Sequence, residues 1–136
     1  MVENYRELIK NKLMEKIDCE AIILFGSYAR GTQNQESDID IAFLTEKEIS
    51  KKDIFLLKQD LEDICSKDVD LINLKDDNIG DGFKYEILIN GVNIYVKNEV
   101  EFDLYKIRVI RDYLELNESR QPIIDRIKEG GDIYGK

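Results

Sequence analysis

The sequence contains no histidine and no tryptophan, one proline and two cysteines among 136 residues. Without histidine, Ser-His-Asp and Cys-His catalysis is excluded, and so is any imidazole-based metal site. Cys19 and Cys65 stand alone, so they cannot build the thiolate cluster that holds zinc. They read as small buried residues of a reducing compartment. Long apolar runs are missing too: Ala21 to Phe25 falls far short of the ~20 residues of a membrane span. Basic charge is scarce. Lys and Arg number 20 against 29 Asp and Glu, a net charge of −9, which disfavours stable phosphate-tracking contact with nucleic acid. Met1 to Arg6 show neither a basic n-region nor an apolar h-region, so the expected location is the cytoplasm. Any chemistry must use carboxylates, hydroxyls, Lys/Arg or a hard metal ion.

What is present fits a single α/β (α+β) domain over 1–136, with about four strands in a mixed sheet flanked by helices. Tyr5, Leu8, Ile9, Leu13 and Ile17 recur at helical spacing and predict a helix over Glu3–Ile17. Ala21–Phe25, Asp38–Leu44, Val69–Leu74 and Gly91–Val96 read as strands. Ile54, Leu57, Leu61 and Ile64 mark a second amphipathic helix over Ile49–Cys65, and Phe83–Ile89 a short one. Gly26–Ser37 reads as turn and loop. Asn98 is placed to cap a final helical region, with Glu99 and Glu101 favourable near its start. From Val100 to Leu116 apolar residues cover more than one narrow stripe, so the helix is either deeply packed or keeps a face for a partner. Pro122 predicts a break or first turn, giving C-terminal helices over about 98–129 and a flexible tail over 130–136. The expected core spans about residues 3–96.

The chemistry concentrates between Gly26 and Asp40. Asp38 and Asp40 lie two apart on one strand, so both carboxylates leave the same face while Ile39 and Ile41 leave the other. Two carboxylates so close call for a cation between them, and Mg²⁺ commonly joins one or two carboxylates to substrate phosphates. A strand-edge surface patch is the plain alternative. Asp70 sits in another, otherwise apolar strand and can complete a three-carboxylate site, because an aspartate there burdens the core unless it serves something. Asp68 shares the face of Asp70. Gly26-Ser27 follows the first strand, where glycine lets backbone approach a phosphate and the serine hydroxyl can donate to it. Arg30 can add positive charge or simply pair on the surface.

Gly26-Ser27, ten residues, then Asp38-Ile39-Asp40 resembles the signature of DNA polymerase β-like nucleotidyltransferases. The fuller string, Gly26-Ser27-Tyr28-Ala29-Arg30-Gly31 with Ser37-Asp38-Ile39-Asp40-Ile41, is similar to the minimal nucleotidyltransferase branch, and within it to MntA-type antitoxins encoded beside HEPN-domain ribonuclease toxins. The resemblance implies that Asp38, Asp40 and Asp70 hold two Mg²⁺ ions and carry catalysis, with Asp70 helping to deprotonate the attacking hydroxyl. It implies that Gly26, Ser27 and Arg30 grip ATP, and that the reaction moves AMP to a tyrosine of a HEPN toxin. In-line transfer at phosphorus needs charge neutralisation and positioning more than covalent chemistry, which agrees. The chain is too short for a second lobe to bind an acceptor, which favours a separate protein that supplies its own surface. An acidic chain suits a partner with a basic one. Two alternatives stay open: a non-catalytic antitoxin that covers the toxin in a hetero-oligomer through its C-terminal helices, and an aminoglycoside-type small-molecule transferase.

Overall fold

The computed structural model describes residues 2–31 and 38–128, with side chains from Tyr5 to Glu115 except those of Tyr28 and Arg30. Among these residues the order is α1 (Val2–Lys16), β1 (Cys19–Phe25), α2 (Ser27–Arg30), β2 (Ile39–Thr45), α3 (Lys51–Cys65), β3 (Val69–Asn73), α4 (Asp81–Asn90), β4 (Val92–Val96) and α5 (Glu99–Lys128). The four strands form one mixed sheet in the order β3-β2-β1-β4. β1 pairs antiparallel with both β2 and β4, whereas β2 and β3 are parallel, joined through α3. A helical crossover is what a parallel pair requires.

Helices cover both faces, which explains why β1 and β2 are apolar almost without alternation. Ile22, Leu24, Ile39, Ile41, Phe43 and Val69 pack with Ile9 and Leu13 of α1 and Leu57 and Leu61 of α3. Ala21, Ile23, Ala42, Leu44 and Leu74 face the other way, against Ile87 and Leu88 of α4 and Phe102 and Val109 of α5. Ile39 and Ile41 thus point into a helix layer, as their alternation with Asp38 and Asp40 implies. The periodic stripes hold with two exceptions at their margins. Leu8 and Ile64 are exposed, and the buried place beside Ile64 goes to Cys65. Both cysteines are buried free thiols, and burial pushes the Cys19 thiol up to about 12.

Local chemistry sets the helix ends. Ser50 caps α3, its hydroxyl accepting from Asp53 N–H at 3.1 Å. Asn98 caps α5 as its position predicts, its side-chain oxygen accepting from Glu101 N–H at 3.0 Å. Gly91 joins α4 to β4 where a Cβ would lie 2.5 Å from both the Ile23 side chain and the Ile87 carbonyl. Only glycine lets these elements approach so closely.

Two expectations are corrected. The stretch after β1 is not all loop: Ser27–Arg30 forms a helical turn ended by Gly31, whose φ of 75° and N–H to the Ser27 carbonyl close it. Pro122 does not break the C-terminal region, because α5 runs unbroken from Glu99 to Lys128 as one helix rather than several. Proline removes one N–H and crowds the preceding turn. Ending a helix there instead would leave several backbone groups unsatisfied on each side of the break. The expected tail over 130–136 lies outside the described residues.

Candidate active site

The parallel register of β2 and β3 sets Ile39 beside Val69 and Asp40 beside Asp70. Asp38 and Asp68 directly precede these pairs, so four aspartates stand in two adjacent rows at the start of the two strands. Asp38, Asp68 and Asp70 are exposed and Asp40 is half-buried. The two strands are tied at this end by Ile39 N–H donating to the Asp68 carbonyl at 3.0 Å. Further along the same face, Ala42, Leu44, Ile72 and Leu74 lie beneath α4 and α5. Among the described residues, α4 and α5 cover the far half of that face, and the near half carries the carboxylates.

Glu62 of α3 anchors the start of β3. Its carboxylate accepts from Val69 N–H at 3.1 Å and from Lys58 Nζ at 2.9 Å. The lysine, then the backbone N–H, hold the Glu62 carboxyl below its ordinary range. Lys58 is correspondingly held above the usual lysine range, first by that hydrogen bond and further by the fields of Asp70 and Asp68. Asp70 thus sits one residue beyond a fixed point.

Gly26 closes the site from β1, which pairs Phe25 with Asp40. Its backbone (φ 73°, ψ −151°) occupies a region open essentially only to glycine. A Cβ there would fall on the Asp40 carboxylate. The turn and the carboxylate are therefore packed against each other, and Ala29 N–H donates to the Gly26 carbonyl at 3.1 Å to begin α2. Ser27 is half-buried at the start of that helix. Arg30 lies on α2, and its side chain falls outside the described ones.

Among the described residues, no three acidic or thiol side chains come together closely enough to hold a metal ion between them. Magnesium does not need one, since it keeps several ligands from water and substrate phosphates and takes only one or two carboxylates from the protein. The donors present are hard oxygens from adjacent strands on one face of the sheet, which fits that ion. Asp38, Asp40 and Asp70 would supply such ligands, one or two to an ion.

A cleft of about 210 Å³ adjoins the Gly26 turn, lined by Phe25, Gly26, Phe83, Glu86, Ile87 and Asn90. Phe25 and Phe83 meet edge to face with centroids 5.8 Å apart. Sequence reasoning finds no such cleft, because periodicity within α4 gives no sign that its residues meet the end of β1.

The polymerase beta nucleotidyltransferase family profile matches residues 7–100. The chain is homologous to the protein adenylyltransferase MntA of Shewanella oneidensis, with 29% identity over 90% of this chain and 89% of that one. A crystal structure of a toxin–antitoxin with AMP-PNP superposes with a TM-score of 0.79 at 30% identity, covering 90% of this chain and 98% of that chain. A structure of the tri-AMPylated Shewanella oneidensis HEPN toxin with its MNT antitoxin gives a TM-score of 0.76 at 26% identity, covering 94% and 99%. Among the described residues, no helix is long and apolar enough to cross a membrane. The geometry of the Gly26 turn and the paired aspartates, and the span of these matches, place the chain in the polymerase β nucleotidyltransferase family.

Proposed function

We propose that this chain is a Mg²⁺-dependent protein adenylyltransferase of the cytoplasm, an antitoxin that transfers AMP from ATP to a tyrosine of a cognate HEPN ribonuclease toxin. The observation that supports it most is the Asp40–Asp70 register pair with Asp38 two residues away, set against a glycine turn. Asp38, Asp40 and Asp70 would hold two Mg²⁺ ions, which would supply neutralisation of the phosphate charge. Gly26, Ser27 and Arg30 grip the triphosphate, with backbone N–H groups close to its oxygens. Asp70 takes the proton of the incoming tyrosine hydroxyl. The oxygen–phosphorus bond to the acceptor forms as the bond from the α-phosphorus to the bridging oxygen breaks, and pyrophosphate leaves.

Labelled ATP, Mg²⁺ and the toxin encoded beside the chain test this directly. Label should pass to the toxin with the wild-type chain and fall by at least ~100-fold with Asp38→Asn or Asp40→Asn. No transfer by the wild type, or undiminished transfer by both variants, overturns the proposal.

One observation favours an added binding role. On the outer face of α5, Val100 (68%), Leu104 (59%), Ile107 (58%) and Leu114 (48%) are exposed in an i, i+4, i+7, i+14 stripe. The opposite face, through Phe102, Tyr105 and Val109, is the one that packs on the sheet. Of the two readings the composition leaves open, this is the helix with a face to spare, suited to hold the toxin during transfer.

A further inference from the structure

Glu62 lies on α3, outside the rows of aspartates, yet its carbonyl and its carboxylate bracket the turn that leads to Asp70. We propose that Glu62 is a positioning residue for AMP transfer, which fixes where Asp70 stands beside Asp40, and that Lys58 holds it in that pose. This rests on the adenylyltransferase reading of the site and adds to it a residue that no carboxylate spacing singles out.

Among the described residues β3 is an edge strand, paired with β2 alone, so its start is open to fraying. Two bonds hold it just before Asp70. One comes from β2, where Ile39 N–H donates to the Asp68 carbonyl at 3.0 Å. The other comes from α3, where the Glu62 carboxylate takes the next N–H, that of Val69, at 3.1 Å. Glu62 also ends its own helix, its carbonyl accepting from Ser66 N–H at 2.8 Å. Ser66 has a φ of 56°, the left-handed region where a serine is strained and persists only if its surroundings fix it. One residue therefore grips both ends of the turn over 66–68, the helix end through its backbone and the strand start through its side chain. Lys58 completes the arrangement. Its Nζ donates at 2.9 Å to the same oxygen, Oε2, that receives the Val69 N–H. The two side chains are 35% and 27% exposed, so solvent screens this pair less than an open surface pair. Helix capping alone explains the Ser66 bond. It does not explain a charged side chain turned onto the backbone one residue before Asp70, where a shift of about 1 Å costs roughly 100-fold in rate.

Glu62→Ala and Ser50→Ala separate placement from stability. Ser50 makes the matching bond at the other end of α3, accepting from Asp53 N–H at 3.1 Å. It lies about 18 Å along the helix from Glu62. Each variant loses one bond from side chain to backbone and should melt a few degrees early. In labelled-ATP transfer to the toxin, Glu62→Ala should lose about 10–100-fold in kcat and keep its KM for ATP within about twofold. Ser50→Ala should keep the wild-type kcat. Glu62→Gln still offers an oxygen to Val69 N–H and should recover most of the loss. Lys58→Met, which frees the carboxylate from its holder, is the second variant if Glu62→Ala melts below the assay temperature. It should lose a smaller part of kcat with the same unchanged KM. A second readout needs no transfer: Mg²⁺ titrated into the full chain, followed through the amide resonances of Asp40 and Asp70. Glu62→Ala should need about tenfold more Mg²⁺ than the wild type, and Ser50→Ala the wild-type amount. Equal kcat losses in Glu62→Ala and Ser50→Ala, no rescue by Glu62→Gln, or an unchanged Mg²⁺ requirement in Glu62→Ala overturns the inference. A wild-type chain that transfers no AMP overturns the proposed activity instead, and the Mg²⁺ titration then decides the role of Glu62 by itself.

Discussion

Replacing Gly26 by alanine should damage stability and chemistry together, and the structure gives the size of each effect. The residue holds φ 73° and ψ −151°, a conformation that costs a side-chain-bearing residue about 1–3 kcal/mol. The new methyl must also displace the Asp40 carboxylate, an overpacking cost of about 1–3 kcal/mol. Alanine restricts the unfolded chain and returns about 0.4–1 kcal/mol. The net loss is roughly 1–5.6 kcal/mol, or a fall of about 3–22 °C in Tm for a domain of this size. Gly31→Ala is the matched control. Gly31 also has a positive φ of 75°, but no described atom lies within 4 Å of the added Cβ. It should lose only the left-handed strain of about 1–2 kcal/mol less the same return, roughly 0–1.6 kcal/mol net, and keep its activity. Gly26→Ala should in addition lose about 100-fold or more in AMP transfer, because a 1 Å misplacement at a reacting centre has that effect. Thermal melts and labelled-ATP transfer, run on both variants, separate strain from displacement. The reasoning is refuted if Gly26→Ala melts with Gly31→Ala and transfers AMP at the wild-type rate.

Glu62→Gln should weaken the tie between α3 and the start of β3. Because Glu62 titrates below its ordinary 4.5 in the fold, its contribution is present above that pH and is lost as pH falls through the lowered value. Acid melts of the variant should therefore be flatter below pH ~4.5 than those of the wild type. Cys19 has the opposite sign: burial raises its pKa from 9.0 to about 12, so stability is intact below 9 and declines as pH rises towards 12. Tm measured over that window should fall in the wild type and fall less in Cys19→Ala. Leu104→Lys with Ile107→Lys changes only exposed positions and should shift stability by no more than ~0.5 kcal/mol. The same pair should abolish co-purification with the toxin if the outer face of α5 docks it, and an intact complex would remove that role.

Strands and long helices were legible because their apolar periods are local. Ile22 and Leu24, or Ile9 and Leu13, declare a face without reference to anything distant. The carboxylates were legible for the same reason, since two residues along a strand always share a face. Asp70 needed one further step, a strand–helix–strand order that makes β2 and β3 parallel and brings it beside Asp40. α2 escaped notice because four residues contain no period, and its end depends on Gly31 adopting a left-handed conformation that no spacing announces. Pro122 misled because its local preference lost to the backbone bonds gained by continuing α5 on both sides. The Phe25–Phe83 cleft was hidden for a stronger reason. Its two walls come from elements that meet only after Gly91 lets the end of α4 pack tightly on β1. The rows of aspartates follow from a short run whose geometry is set by one strand and its neighbour. The cleft depends on side chains that folding alone assembles. The carboxylate rows are therefore readable in sequence, whereas the cleft beside the Gly26 turn is a property of the packed tertiary structure.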